Sequence, residues 1–158
     1  MQPSQADFHK IKKIIESFCA YQERCTQEVM FKMSGFSLTR EEQEQMMQHL
    51  VFNRFVNDQR YCESIVSGKF RIKQWGKLKI KGYLIQKNIP TTIIQNAING
   101  IDDNEYCKTI EKLVLKKMEE LKNEKDIWKK KSKIFRFVHG KGFEFDMCQQ
   151  YINALITD

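Results

Sequence analysis

Residues Trp75 to Ile101 read WGKLKIKGYLIQKNIPTTIIQNAINGI and contain four lysines but no acidic residue. The apolar residues of the first half recur at helical intervals, which predicts an amphipathic helix. They form two neighbouring stripes, Leu78 with Ile85 and Ile80 with Leu84. The lysines occupy the remaining positions, so the stretch is expected to be a helix with a basic side.

A short turn to a second helix is expected at Asn88. Asparagine tolerates the left-handed conformation that often ends a helix. Ile89 is expected to be the buried pivot of the turn, because a residue before proline avoids the helical region while Pro90 suits the start of a new helix. Thr91 or Thr92 could cap that helix. Its apolar stripe would consist of Ile93, Ile94, Ala97, Ile98 and Ile101.

The net charge of +7 is distributed unevenly along the chain. Residues 64–101 carry seven basic and no acidic side chains, and residues 112–141 carry eleven basic against four acidic ones. Residues 1–50 are balanced, with six basic and seven acidic side chains. Two basic segments of this kind indicate an anionic partner, either nucleic acid or an acidic protein surface. The alternative is a solvated lysine face with no partner.

The composition argues against several classes of protein. No apolar run approaches the roughly 20 residues that cross a bilayer, and the amino terminus lacks the apolar core of a signal peptide. A cytosolic protein is therefore expected. Five cysteines without CxxC spacing predict buried thiols rather than disulfides or a zinc site. They are Cys19, Cys25, Cys62, Cys107 and Cys148.

An enzyme is not expected either. The three histidines lie far apart in the sequence, and no cysteine, serine or carboxylate accompanies them in the arrangement of a nucleophile or a metal site. A phosphate-binding loop is absent, so ATP hydrolysis by this chain is not expected. No cofactor is predicted.

The chain repeats its own pattern, which predicts its domain organisation. The set Asp58, Tyr61, Cys62 and Ile65 recurs 45 residues later as Asp103, Tyr106, Cys107 and Ile110. A second set of apolar residues, which begins at Ile89, recurs 54 residues later, where Phe143 corresponds to Ile89. In the other direction, Phe36 corresponds to Ile89 at a spacing of 53 residues. Three three-helix units are therefore predicted, at residues 1–55, 56–101 and 102–158. The two spacings differ by nine residues, which places an insertion in the long helix of the third unit or in the loop after it.

Further local patterns support this plan. Thr39 and Glu42 have the spacing of a capping box and predict the start of a helix whose apolar side is formed by Met46, Met47, Leu50 and Val51. Aromatic residues between units are expected to pack rather than to stack on bases. These are Phe52, Phe55, Phe70, Trp75, Trp128, Phe135 and Phe137. Small units of this kind bury little surface alone and gain by stacking, which predicts an elongated, curved, all-α body.

The chain from Phe55 to Lys117 resembles the RecX family of bacterial recombination regulators. The resemblance rests on Asp58 and Tyr61 at the start of the second unit, the basic segment 76–80, Lys87-Asn88-Ile89 at the turn, and Gly142-Phe143 near the end. The sequence departs from the family where it has Tyr83-Leu84 instead of Glu-Leu before the turn and Asn88 instead of glycine within it. Residues 1–50 match only as a loose helical unit.

The resemblance implies three tandem three-helix modules and a function without catalysis. RecX proteins bind the RecA recombinase, most effectively as its nucleoprotein filament, and restrain its strand exchange, ATP hydrolysis and coprotease activities. A monomeric cytoplasmic regulator of recombination and the SOS response is therefore expected. From charge alone, the residues expected to bind the partner are Lys73, Lys77, Lys79, Lys81, Lys116, Lys117, Lys129, Lys130 and Lys131.

A sequence-independent DNA-binding module is the alternative. Basic three-helix units with a turn like Asn88-Ile89-Pro90 can resemble a helix-turn-helix. The recognition helix would then be residues 91–101, which contain no basic residue. Only Gln95, Asn96 and Asn99 could read bases there. Weak direct contact with DNA remains compatible with both interpretations.

Overall fold

The computed structural model describes residues 4–157, so Met1 to Pro3 and Asp158 of the predicted first and last units lie outside the described residues. The described part of the chain contains nine α-helices and no strand, which confirms the predicted all-α class. The helices are α1 Gln5–Tyr21, α2 Thr26–Met33, α3 Arg40–Phe52, α4 Asp58–Arg71, α5 Lys77–Ile85, α6 Thr91–Asn99, α7 Asp103–Glu120, α8 Ile127–Gly140 and α9 Phe145–Leu155.

The helices pack into two hydrophobic cores. The core of α1–α3, the first unit, consists of Ile15, Cys19, Val29, Met33, Met46, Leu50 and Val56. A second, larger core joins α4–α6, the second unit, to α7–α9, the third unit. The last two units therefore share one apolar interior, which also includes Cys25 of the first unit, while the other buried residues of the first unit form their own core. The predicted boundaries after residues 55 and 101 lie in the connections before α4 and α7, and the division itself stays a prediction.

The units follow one another along an elongated body. The accessible surface of the protein is 10375 Å², whereas a compact monomer of its mass would expose roughly 8300 Å². Because the units are joined in series, each presents more surface than it would in a globular arrangement. The shape agrees with the tandem stacking that the repeat predicts.

The turn between α5 and α6 is largely as predicted. Asn88 has a positive φ of 55°, and Ile89 is buried with 6% of its surface exposed. The expected threonine cap is wrong, since Pro90 precedes α6 and no side chain caps the helix. Thr91 is already inside the helix, so its hydroxyl is not placed to accept from the amides of the next turn.

The buried side of α5 is narrower than predicted. Ile80 and Leu84 are fully buried, whereas Leu78 is 50% exposed and Ile85 is 48% exposed. The fully buried residues of this nine-residue helix are a single i, i+4 pair. In α3, Val51 is similarly exposed although it was expected on the apolar side.

The insertion in the third unit is shared by two helices. Helix α7 has 18 residues against 14 in α4, and α8 has 14 against nine in α5. The prediction that the long helix or its following loop accounts for the insertion is therefore incomplete. Two of the aromatic residues expected to pack are also exposed, Phe52 at 87% and Trp128 at 83%. Both lie near helix ends where no other element of residues 4–157 covers them, whereas Phe70 is buried in the second core.

Candidate partner-binding face

The third unit caps the amino terminus of α5. Gly76 at the N-cap has no side chain to offer, and its amide donates to the Lys141 carbonyl at 2.8 Å. The amide of Leu78 donates to the Gly142 carbonyl at 3.0 Å. A Cβ at Gly76 would lie 2.3 Å from the Gly142 carbonyl group, so the two backbones meet only because Gly76 is glycine. These contacts fix the third unit against the second.

A buried tyrosine completes this joint. The Tyr106 hydroxyl accepts from the amide of Lys77 at 3.1 Å and donates to Glu144 Oε2 at 2.6 Å. Burial, followed by the hydrogen bond to Glu144, raises the pKa of Tyr106 well above its usual range. The Lys77 ammonium lies 4.6 Å from the centre of the Tyr106 ring and 3.9 Å from an Asp103 carboxylate oxygen. Lys77 is thus engaged in the joint itself.

Four lysines converge where this joint meets solvent. The Lys141 ammonium donates to the Lys73 carbonyl at 3.0 Å. Burial, together with the charges of Lys79, Lys116 and Lys73, lowers the pKa of Lys141. None of the four forms an ion pair within residues 4–157. We call Lys73, Lys79, Lys116 and Lys141 the basic face.

Aromatic rings support the lysines beside the basic face. The ammonium groups of Lys69 and Lys79 lie 4.7 and 4.6 Å from the centre of the Trp75 ring. Tyr83 is approached by Lys69 at 4.9 Å and by Lys87 at 5.5 Å. Such contacts stabilise a positive charge over a ring face. The rings therefore hold ammonium groups in place.

The nine lysines that the sequence predicts to bind a partner do not form one surface in the structure. Three of them, Lys73, Lys79 and Lys116, lie on the basic face, and Lys77 lies in the joint. Lys117 pairs with Glu120 at 2.9 Å, and Lys81 is half-buried on α5. The other three lie in the first turns of α8, roughly 15 Å along the helix from Lys141 at 1.5 Å per residue. They are Lys129, Lys130 and Lys131.

Sequence reasoning missed Lys141, although the repeat contained the signal. At the spacing of 54 residues, Lys141-Gly142-Phe143 corresponds to Lys87-Asn88-Ile89. Both lysines precede a residue of positive φ, which is 98° at Gly142. Each of these lysines contacts the preceding unit. A lysine followed by a residue of positive φ therefore marks the place where one unit contacts the unit before it.

The turn lysine of the first joint, between the first and second units, has a carboxylate partner, whereas the turn lysine of the second joint has none within residues 4–157. Asp58 accepts from the amide of Thr26 at 2.8 Å and from its hydroxyl at 3.0 Å. Glu28 accepts from the Lys87 ammonium at 3.2 Å and from the Tyr61 hydroxyl at 3.4 Å. Here a carboxylate neutralises the lysine of the turn. Lys141 has lysines around it instead, so the excess positive charge lies at the second joint.

The cysteines lie largely in the interior, as predicted. All five are free, and four are buried, while Cys107 is half-buried. Burial raises the pKa of the Cys19, Cys62 and Cys148 thiols to about 11. Within residues 4–157 no group of three or more His, Cys, Asp or Glu side chains is placed to hold a metal ion. Nor does any helix in that range have both the length and the apolar character to cross a bilayer.

Comparison with known protein families identifies the repeated units. The family model of the second three-helix domain of RecX matches residues 57–98. The model of the third three-helix domain of RecX matches residues 104–152. Together the two models cover more than half of the chain. The chain belongs to the RecX family.

Individual relatives agree with this assignment. A Regulatory protein RecX from Clostridium perfringens (strain 13 / Type A) is 34% identical over 65% of this chain and 48% of its own length. One from Clostridium tetani is 32% identical over 72% of this chain and 52% of its own length. The match thus spans about half the length of these RecX relatives. Their names describe regulatory proteins, not enzymes.

Solved RecX structures have the same fold. The crystal structure of RecX from Lactobacillus salivarius superimposes with a TM-score of 0.87 over 96% of this chain and 98% of that one, at 23% identity. A second crystal structure of a regulatory protein RecX gives a TM-score of 0.80 at 21% identity, over 92% of this chain and 73% of that one. The predicted plan of tandem three-helix modules is confirmed.

Proposed function

We propose that this chain binds the RecA recombinase as its filament on single-stranded DNA and restrains strand exchange, ATP hydrolysis and coprotease activity without catalysis of its own. The contact is made through the basic face. The proposal extends membership of the RecX family to the activity that the resemblance implies. It makes the protein a cytoplasmic regulator of recombination and the SOS response.

The observation that carries the proposal is the convergence of four lysines that form no ion pair within residues 4–157. Their like charges repel one another, so a site of this kind gains free energy when an anionic surface covers it. The joint that positions them is made by backbone hydrogen bonds and tight glycine contacts, so little order has to be gained on binding. An electronegative groove of a filament would be drawn to this face at a salt-dependent rate.

The test is the single-stranded-DNA-dependent ATP hydrolysis of RecA with this protein titrated in. The test variant carries Lys79→Glu, Lys116→Glu and Lys141→Glu. We expect at least tenfold more of it to be needed for half inhibition. The control carries the same charge change on exposed lysines of the first unit and is expected to inhibit like the wild type. Its substitutions are Lys10→Glu, Lys13→Glu and Lys32→Glu.

Equal inhibition by both variants would contradict the role of the basic face. An absence of inhibition by the wild type at a one-to-one ratio with RecA would contradict the proposal as a whole. Circular dichroism of both variants establishes that they are folded. Raising the salt concentration should weaken the wild type more than the basic-face variant, because the variant has lost the charges that salt screens.

Direct DNA binding is the second candidate, since the same four lysines would also attract phosphates. One observation weighs against it. Helix α6, which would be the recognition helix, exposes only uncharged polar side chains such as Gln95 and Asn96. Fluorescence anisotropy with labelled single-stranded DNA distinguishes the two candidates. The DNA-binding module would be favoured if the protein alone, at physiological salt, binds the DNA at the same concentrations at which it inhibits RecA.

A further inference from the structure

An open groove lies between α8 and α9 of the third unit. Its volume is about 220 Å³. Sites for small-molecule ligands usually measure roughly 300 to 1,000 Å³, so this groove is sized for one or two side chains of a partner. Its walls include Trp128, Lys131, Phe135, Gln149, Ile152 and Asn153.

The outer wall of the groove is an exposed tryptophan. Trp128 lies in the first turn of α8 and is 83% exposed, so it contributes little to the core. Helix α8 is longer than its counterpart α5. At the start of α5 the third unit covers the helix end, whereas none of the residues 4–157 covers Trp128. A large exposed aromatic ring beside an apolar groove is typical of a protein-binding hot spot.

The charge around the groove is positive. Lys129 and Lys131 form no ion pair within the described range. Of the carboxylates near the start of α8, Glu124 pairs with Lys133 at 2.9 Å and Asp126 caps the helix by accepting from the amide of Lys129 at 3.2 Å. An acidic ligand therefore has ammonium groups available at the rim. A basic ligand would be repelled.

We propose that this groove binds an acidic segment of a partner protein that places one bulky apolar side chain against Trp128. The side-chain amides of Gln149 and Asn153 each offer donors and an acceptor, which suit the backbone of an extended peptide. Phe135 and Ile152 provide the apolar floor. The site lies at the other end of α8 from Lys141 and goes beyond the proposed contact with RecA.

The test uses synthetic peptides of about ten residues that consist of glutamate and aspartate. One carries a central Leu-Phe pair and the other has Ser-Gly in its place. In protein carrying Trp75→Phe, Trp128 is the only tryptophan. We expect the Leu-Phe peptide to shift its fluorescence emission to shorter wavelength as the ring is covered, and the Ser-Gly peptide to bind at least fivefold more weakly.

Anisotropy of the labelled Leu-Phe peptide then compares variants. Trp128→Ala is expected to weaken binding at least fivefold. Phe52→Ala, which removes an equally exposed ring from the first unit, is expected to leave it unchanged. Binding by Trp128→Ala within twofold of the wild type would overturn the proposal. A second result would also overturn it: single-stranded oligothymidine binds and needs Trp128 to do so, while the Leu-Phe peptide does not bind. That result would assign the ring to nucleic-acid stacking.

Discussion

Replacing Gly76 by alanine tests the joint on which the basic face depends. The added Cβ would lie 2.3 Å from the carbonyl carbon and oxygen of Gly142. These are backbone atoms of a tight turn, and Gly142 itself has a φ of 98°. They cannot rotate away as the end of a side chain could. The start of α5 and the turn at 141–142 must therefore move apart.

The expected magnitude follows from the hydrogen bonds that this movement breaks. The amides of Gly76 and Leu78 lose the carbonyls of Lys141 and Gly142. A hydrogen bond contributes about 0.5 to 1.5 kcal/mol net, so the loss of two should lower the free energy of unfolding of Gly76→Ala by about 1 to 3 kcal/mol. Domains of this size are stable by about 5 to 15 kcal/mol, which makes the effect large.

The assay is urea unfolding followed by circular dichroism, with the free energy of unfolding extrapolated to water. Gly82→Ala is the matched control, because Gly82 lies in the same helix and a Cβ there meets no atom within 4 Å. It should stabilise the protein by up to about 1 kcal/mol through helix propensity. If Gly76→Ala changes stability by less than about 0.5 kcal/mol, below the cost of one lost hydrogen bond, the reasoning is wrong.

Three further predictions use the same joints and the buried thiols. In urea unfolding, Tyr106→Phe should cost about 1 to 3 kcal/mol and Tyr61→Phe less, because the Tyr61 bond is long at 3.4 Å. Folding raises the pKa of Tyr106, so above about pH 10 the unfolded state loses this proton first and the free energy of unfolding of the wild type should fall. The fall should be smaller in Tyr106→Phe, and an equal fall in both proteins would contradict this. Asp58→Ala removes the acceptor of the Thr26 amide and hydroxyl and should cost about 1 kcal/mol. Its repeat counterpart Asp103 is 95% exposed, so Asp103→Ala should change stability by less than about 0.5 kcal/mol; equal losses would refute the assigned roles. With Ellman's reagent at pH 8, Cys107 should react first, and Cys107→Ser should abolish the rapid phase of the reaction. A rapid phase that remains in Cys107→Ser would mean that one of the other four thiols is not buried.

Local patterns were sufficient to predict most of the helical plan. The capping box is present as expected, with the Thr39 amide donating to Glu42 Oε2 at 2.8 Å. Asn88 adopts the left-handed conformation, and the repeated tyrosines Tyr61 and Tyr106 are both buried. These features depend on residues close together in the chain or on a repeat visible in it. Periodicity and side-chain chemistry therefore determine them.

Helix faces were predicted less well, because a stripe of apolar residues does not say which neighbour covers it. Leu78 and Ile85 fit a helical stripe but remain half-exposed, while Ile80 and Leu84 contact the core. Trp128 resembles a packing residue in sequence and has no covering element among residues 4–157. Burial depends on the distance between whole helices, which local spacing does not contain.

The sequence alone determined that this protein is helical, repetitive and basic in its last two thirds, because periodicity, spacing and charge are properties of neighbouring residues. Only the tertiary structure decided which lysines lie together. Lys73 and Lys141 are far apart in the chain, yet a hydrogen bond of 3.0 Å joins their units. Lys77, two residues from Lys79, is engaged in the joint by Tyr106 and Asp103. Electrostatic interactions depend on distance in space, and the stacking of the units sets that distance.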